Sequence, residues 1–86
     1  MNQPTTSAIA RSPFARARRK REIDALMDQY VRWREGCAAV AAAYQTWRTA
    51  EPQHRELAFA MYSAALDREE EAASAYQVAV ARVSAA

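Results

Sequence analysis

The stretch IDALMDQYVRWREGCAAVAAAYQTW, residues 23–47, carries a large apolar side chain or a cysteine at alternating steps of three and four residues. An α-helix has about 3.6 residues per turn, so this spacing places those side chains along one side of a helix. The series predicts a helix whose seam packs against another helix as in a coiled coil. Its eight seam positions are Ile23, Leu26, Tyr30, Trp33, Cys37, Val40, Tyr44 and Trp47.

The second half of the chain repeats this spacing, with one charged residue, Glu69, among the eight positions. Between the halves lies RTAEPQH, residues 48–54. The residue before a proline disfavours the α conformation, so we expect a break near Thr49–Glu51 and a second helix that starts at Pro52. The second series is Phe59, Tyr62, Leu66, Glu69, Ala73, Tyr76, Val80 and Val83.

Two helices of similar length joined by a short turn must run antiparallel. The sequence therefore predicts an all-α fold, an antiparallel two-helix hairpin that resembles a coiled coil. We expect helices at about 13–49 and 52–84 with a turn at about 50–52. Ser12-Pro13 is a helix start signal, and residues 1–12 are predicted to be a disordered tail because they are polar and lack helical spacing.

Glu69 requires a partner, because a carboxylate in an apolar seam is costly unless it is paired. With a turn near residue 51, residues that face each other should have numbers that add to 102 or 103. Glu69 then faces Trp33 and Arg34, and we expect it to pair with Arg34 or to accept a hydrogen bond from the Trp33 indole. In the same register Arg32 and Arg34 lie opposite the acidic run at residues 67–71.

A second apolar stripe runs beside the first. One hairpin cannot cover both stripes, so we expect a homodimer that forms a four-helix bundle, or pairing with another helical protein through this alanine-rich side. Gly36, in the middle of a helix, is predicted to allow close approach of the second helix. The stripe comprises Met27, Val31, Ala38, Ala41, Ala42, Leu57, Met61, Ala64, Ala65, Ala72, Ala75 and Ala79.

Charged residues are unevenly distributed along the chain. The net charge is +2, yet residues 1–21 carry six basic side chains and no acid. Such a cluster can neutralise phosphates without reading base sequence, or it can bind an acidic protein or anionic lipid. It could equally serve as a targeting signal or as a solvated helix end. The basic residues are Arg11, Arg16, Arg18, Arg19, Lys20 and Arg21.

Motifs for catalysis are missing from the sequence. It has no Gly-rich phosphate loop, no nucleophile elbow and no histidine-containing metal motif. The single cysteine, Cys37, excludes an internal disulfide framework and an all-cysteine zinc site. The single histidine, His54, has no second histidine or cysteine nearby in sequence with which to share a metal. We expect a protein that is not an enzyme and that uses no cofactor, metal or small-molecule substrate. No apolar run is long enough to span a membrane and no signal peptide is evident, so a cytoplasmic location is expected.

The segment REID, residues 21–24, at the start of a long helix resembles the opening helix of the all-helical chorismate mutases. That resemblance would imply a small helical enzyme that binds a dianionic substrate with arginine and lysine. Cys37 stands about where that family places an active-site arginine, and no lysine follows Lys20. The match covers four residues.

In size and two-helix shape the chain is also similar to the Trp-x-Gly hairpins of type VII secretion. This likeness would imply a secreted hairpin that pairs with another helical protein. Here WREG, residues 33–36, has one residue too many and lies within a helix. Those hairpins also carry a C-terminal signal in which an acidic residue follows a tyrosine by four positions. Here Leu66 stands four positions after Tyr62 and Val80 four positions after Tyr76, so the signal is missing.

The sequence thus predicts a non-enzymatic interaction module with a basic N-terminal arm for an anionic partner, either nucleic acid without sequence preference or an acidic protein. The alternative is a protein–protein adaptor that uses the alanine-rich side. A small enzyme of the chorismate mutase type is the third possibility.

Overall fold

The computed structural model describes residues 12–85, which form two long antiparallel helices joined by a short turn. Helix α1 spans Pro13–Arg48, a 3₁₀ turn spans Pro52–His54, and helix α2 spans Arg55–Ala85. Residues 12–85 contain no β-strand. The all-α helical hairpin that the sequence predicts is therefore confirmed.

Helix α1 begins where the sequence carries its start signal. The Ser12 Oγ accepts hydrogen bonds from the backbone N–H groups of Phe14 and Ala15, at 3.2 and 3.5 Å, and Pro13 occupies the first helical position. These bonds satisfy donors that have no partner inside the helix. Ser12, which the sequence assigned to the disordered tail, is instead the cap of this helix. The rest of the predicted tail, residues 1–11, lies outside the described part of the chain.

The turn reverses the chain within six residues. Helix α1 ends at Arg48, and both the backbone N–H and the hydroxyl of Thr49 donate to the Gln45 carbonyl. Pro52 opens the 3₁₀ turn, in which the His54 N–H donates to the Glu51 carbonyl at 2.8 Å. Helix α2 thus starts at residue 55, three residues later than expected, because the tighter 3₁₀ turn completes the reversal first.

The most deeply buried residues of the hairpin are alanines. Ala58, Ala65 and Ala79 are 5%, 2% and 7% exposed, and no other residue among 12–85 is buried to this degree. The half-buried Ala72 completes a series with one alanine every seven residues. Seven residues make two helical turns, so these four alanines lie in line along the side of α2 that faces α1.

Gly36 of α1 lies against the backbone of α2. A Cβ atom placed on Gly36 would be 3.3 Å from the Glu69 Cα atom, closer than an ordinary van der Waals contact. Close approach, the predicted reason for a glycine here, is therefore confirmed. The contact sets the register: residues that face each other have numbers that add to 105, two or three more than predicted.

In this register, each alanine of the series on α2 faces a larger apolar residue of α1. Small opposite large fills the space between two closely spaced helices without voids. The pairs of residues at the same level are Ala58 with Trp47, Ala65 with Val40, Ala72 with Trp33, and Ala79 with Leu26.

Two aromatic clusters of the same geometry join the helices. In each, a tryptophan of α1 stacks on a tyrosine of α2, with ring centroids 5.4 or 5.5 Å apart and planes within 10° of parallel. A tyrosine of α1 contacts both rings at a steep angle. Corresponding residues are 14 positions apart on both helices. The clusters are Tyr30, Trp33 and Tyr76, and Tyr44, Trp47 and Tyr62.

The sixteen predicted seam positions divide into two sets of eight. One set is half-buried between the helices: Leu26, Trp33, Val40, Trp47, Tyr62, Glu69, Tyr76 and Val83. The other set lies along one edge of the seam: Ile23, Tyr30, Cys37, Tyr44, Phe59, Leu66, Ala73 and Val80. Six of these edge residues are 37–49% exposed. The residue before each edge position lies nearer the centre. Six of these eight residues are glycine or alanine, Gly36 for example, and their small size lets the helices approach closely; the exceptions are Glu22 and Gln29.

Replacing Gly36 with leucine should lower the free energy of unfolding by about 1–3 kcal/mol, since the new side chain would collide with the α2 backbone. Urea denaturation followed by circular dichroism measures the change. Ala38→Leu, which adds a similar side chain on the exposed side of α1, is the control and should change it by less than about 0.5 kcal/mol. Equal effects of the two substitutions would contradict the close approach at Gly36.

Candidate interaction surfaces

Glu69 is a half-buried carboxylate in the middle of the seam, and the structure shows how it is accommodated. The Trp33 Nε1–H donates a hydrogen bond to Glu69 Oε2 at 2.9 Å. This confirms one of the two partners that the sequence suggests for Glu69. A buried or half-buried carboxylate without such a donor would be unfavourable, so this bond helps to keep Trp33 and Glu69 at their levels in the hairpin.

Arg34, the other suggested partner, lies elsewhere. Its guanidinium carbon is 5.8 Å from the centre of the Trp33 ring, in the range of a cation–π contact. Among residues 12–85 the one ion pair within 4 Å joins Lys20 to Asp24, at 2.9 Å. The expected ion pairs between Arg32 or Arg34 and residues 67–71 are therefore not formed, because both arginines and the acids near them extend into solvent.

The basic residues predicted to bind an anion cluster at the open end of the hairpin, where α1 is longer than α2. Residue 20 is level with Ala85, so residues 13–19 extend roughly 10 Å beyond it. We call the five exposed cations there the basic end; Arg11 lies outside the described residues. The basic end comprises Arg16, Arg18, Arg19, Lys20 and Arg21.

Helix α2 adds a further cation to this region. Arg82 lines a shallow depression of about 210 Å³ together with Arg18 and Arg21. Glu22 lines the same depression and is the one acid in it. The hairpin thus brings together cations that are more than sixty residues apart in sequence, and the N-terminal cluster alone did not reveal Arg82 as their neighbour.

A second surface is the exposed edge of the seam. We call it the aromatic ribbon; it consists of the eight edge residues named above, from Ile23 to Val80 in sequence. The ribbon runs along one side of the hairpin and carries two half-exposed tyrosines, Tyr30 and Tyr44, at 42% and 41%. It is apolar along its length. The sequence pattern identified all of its residues but assigned them to the interior.

The opposite side of the hairpin carries an alanine-lined groove of about 420 Å³. It contains part of the predicted second stripe, including Met61 at 57% exposure. Other members of that stripe, among them Ala72 and Ala79, belong instead to the contact between the two helices, and Ala65 lies at the bottom of the groove and in that contact. The groove is lined by Ala39, Ala42, Ala43, Thr46, Met61, Ala64, Ala65 and Arg68.

Residues that often carry chemistry are dispersed in the described part of the chain. His54 lies in the turn and is exposed, and Cys37 is a free, half-buried thiol in the aromatic ribbon. No group of three or more histidine, cysteine, aspartate or glutamate side chains among residues 12–85 is placed to hold a metal ion. Neither α1 nor α2 is long and apolar enough to cross a membrane.

Comparison with known proteins identifies no relative: no protein-family model, curated protein or solved structure matches this chain.

The Trp33–Glu69 hydrogen bond can be measured against an internal control. Trp47 stacks on a tyrosine as Trp33 does, although it also contacts Phe59, and no hydrogen bond from its Nε1 is present within residues 12–85. Trp33→Phe should therefore destabilise the hairpin by about 1–2 kcal/mol more than Trp47→Phe does. Urea denaturation measures both losses, and the difference should fall by about 1–2 kcal/mol when Glu69 is also replaced by alanine. A difference that is unchanged in that background would rule out the hydrogen bond as its cause.

Proposed function

We propose that this protein is a non-enzymatic interaction module that binds nucleic acid, without sequence preference, through its basic end. The helical hairpin, a coiled-coil-like scaffold, holds the cations in place. The observation that carries the proposal is the extension of a cation-rich helical end beyond α2. No acid lies within residues 13–21, and Lys20 is the one member of the basic end in an ion pair.

The shape of the basic end suits a phosphate backbone. Five cations lie on less than two turns of one helix, so they point in several directions around its axis. Such an arrangement can contact phosphates on both sides of a groove, but it presents no flat array to base edges. Arg82 and the depression beside Arg18 and Arg21 extend the positive surface onto α2.

The absence of sequence preference follows from the residue types. Phosphate contacts position a protein on nucleic acid but carry no sequence information. The one aromatic residue within this helical end is Phe14, which is 86% exposed. The stacked aromatic rings of the protein lie within the hairpin, packed against each other, and so they are not arranged as a platform for bases.

Replacing Arg16, Arg18 and Arg19 with glutamine should abolish most of the affinity for short duplex DNA, measured by fluorescence anisotropy. The three residues lie beyond the level of Ala85, and none of them is in the seam; only Arg18 borders α2, at the depression that it shares with Arg82. Their loss should therefore leave the fold intact. Each phosphate contact contributes about 0.9 to the slope of log K against log salt. The slope should therefore fall by about 2 to 3 between roughly 50 and 200 mM salt.

A matched control removes the same charge elsewhere. Arg32, Arg55 and Arg68 are also exposed and lie on the body of the hairpin; replacing them with glutamine should leave most of the affinity and the salt slope in place. Two duplexes of unrelated sequence should bind equally well. Equal losses from both triple variants, or no binding by the unmodified protein at low salt, would refute the proposal. Binding to polyglutamate but not to DNA would refute it in favour of an acidic protein partner.

A further inference from the structure

The aromatic ribbon groups more exposed large apolar side chains than any other side of the hairpin. Twelve large apolar side chains among the described residues are exposed, and six of them belong to the aromatic ribbon. The other six are distributed over the remaining sides of both helices. The six ribbon residues are Ile23, Tyr30, Tyr44, Phe59, Leu66 and Val80, with exposures of 37–49%.

The area of the ribbon is sufficient for a specific contact between two chains. From their exposures, these six side chains leave roughly 500 Å² accessible in each chain, since a large aromatic side chain contributes about 200 Å² when fully exposed. Two ribbons in contact would therefore bury at most about 1,000 Å² from these residues, which is close to the area that a specific interface needs. The flanking side chains add to this area.

The two flanks of the ribbon carry opposite charge. On α1, Arg34 and Arg48 each follow a ribbon tyrosine by four residues, which places them on the outer side of the ribbon. On α2, Glu70 follows Leu66 by four residues and Glu56 precedes Phe59 by three. All four side chains are exposed, and none forms an ion pair within residues 12–85.

We propose that a second copy of this chain covers the aromatic ribbon, related to the first by a two-fold axis parallel to the helices. The rotation places α1 of one copy on α2 of the other and keeps every residue at its own level along the axis. In the hairpin Arg34 is level with residue 71 and Arg48 with residue 57. Across the dimer, Arg34 therefore meets Glu70 of the partner subunit, and Arg48 meets Glu56 of the partner subunit.

The charges on the flanks select this arrangement over the other two-fold arrangement of the same ribbon. An axis perpendicular to the helices would place α1 on α1 and α2 on α2. The basic flank would then meet a basic flank, and the acidic flank an acidic one, which is unfavourable. The parallel axis instead pairs opposite charges on both sides of the interface.

The proposed dimer differs from the one that the sequence suggested, which used the alanine-rich side. That side retains one exposed large residue in its groove, Met61, and its arginine, Arg68, has no acid beside it in the groove lining. The ribbon carries more exposed large apolar side chains than the groove does, and its two flanks carry opposite charges. The dimer does not depend on the proposed nucleic-acid binding and can be tested without nucleic acid.

Sedimentation equilibrium of the full chain should give twice the 9.6 kDa chain mass. Leu66→Glu introduces a charge into the ribbon and should weaken the dimer at least tenfold. Met61→Glu is the matched control, because it makes the same change at an exposed apolar residue on the other side of α2, and it should leave the dimer intact. Circular dichroism of both variants checks that they remain helical.

Charge reversal tests the pairing across the dimer. Arg34→Glu with Arg48→Glu should dissociate the dimer, and so should Glu56→Arg with Glu70→Arg, because each places like charges opposite each other. An equimolar mixture of these two double variants should form a heterodimer, since every contact between them again joins opposite charges. The mixture should sediment at the dimer mass although neither component does so alone.

Three results would overturn the proposal. The first is a monomer for the unmodified chain throughout the micromolar range. The second is loss of the dimer in Met61→Glu but not in Leu66→Glu, which would move the interface to the alanine-lined groove. The third is double charge-reversal variants that dimerise as well as the unmodified chain, which would exclude α1 packing on α2 of the partner subunit.

Discussion

The close approach of the two helices is the constraint on which the rest of the hairpin depends. It is possible because α2 presents an alanine every seven residues and because Gly36 presents no side chain at all. With only two helices and 74 described residues, no large side chain can be enclosed on all sides. Stability must then come from tight contact between backbones and from the stacked rings beside them.

Close spacing also determines where the large side chains go. A tyrosine or phenylalanine cannot take the place of a buried alanine between the closely spaced backbones, and Tyr30, Tyr44 and Phe59 lie at the edge of the seam, half-exposed. Their rings gain contacts with the stacked tryptophans, but one side of each remains accessible. The aromatic ribbon is thus a direct consequence of the small residues in the centre, and it gives the molecule a side suited to association.

The Trp33–Glu69 hydrogen bond has a different role from the aromatic clusters. Two equivalent clusters 14 residues apart would also be compatible with a shifted alignment of the helices, because the pattern repeats. Glu69 lies midway between Tyr62 and Tyr76, where a third aromatic residue would continue the series. The carboxylate instead requires a donor, and Trp33 supplies one at a single level of the hairpin.

The sequence by itself determined the two helices, the reversal at Pro52, the Ser12 cap and the need of Glu69 for a donor, because local spacing and local hydrogen bonding dictate each of these. Only the tertiary structure decided which side of each series lies at the centre. Apolar size favours Phe59, Leu66 and Val80 as interior residues, whereas their neighbours Ala58, Ala65 and Ala79 are the ones buried. The seven-residue repeat of those alanines was present in the sequence, but spacing and hydrophobicity do not reveal how closely two helices approach. That distance depends on both helices together. When it is short, alanine fits between the helices, and the larger neighbouring side chain does not.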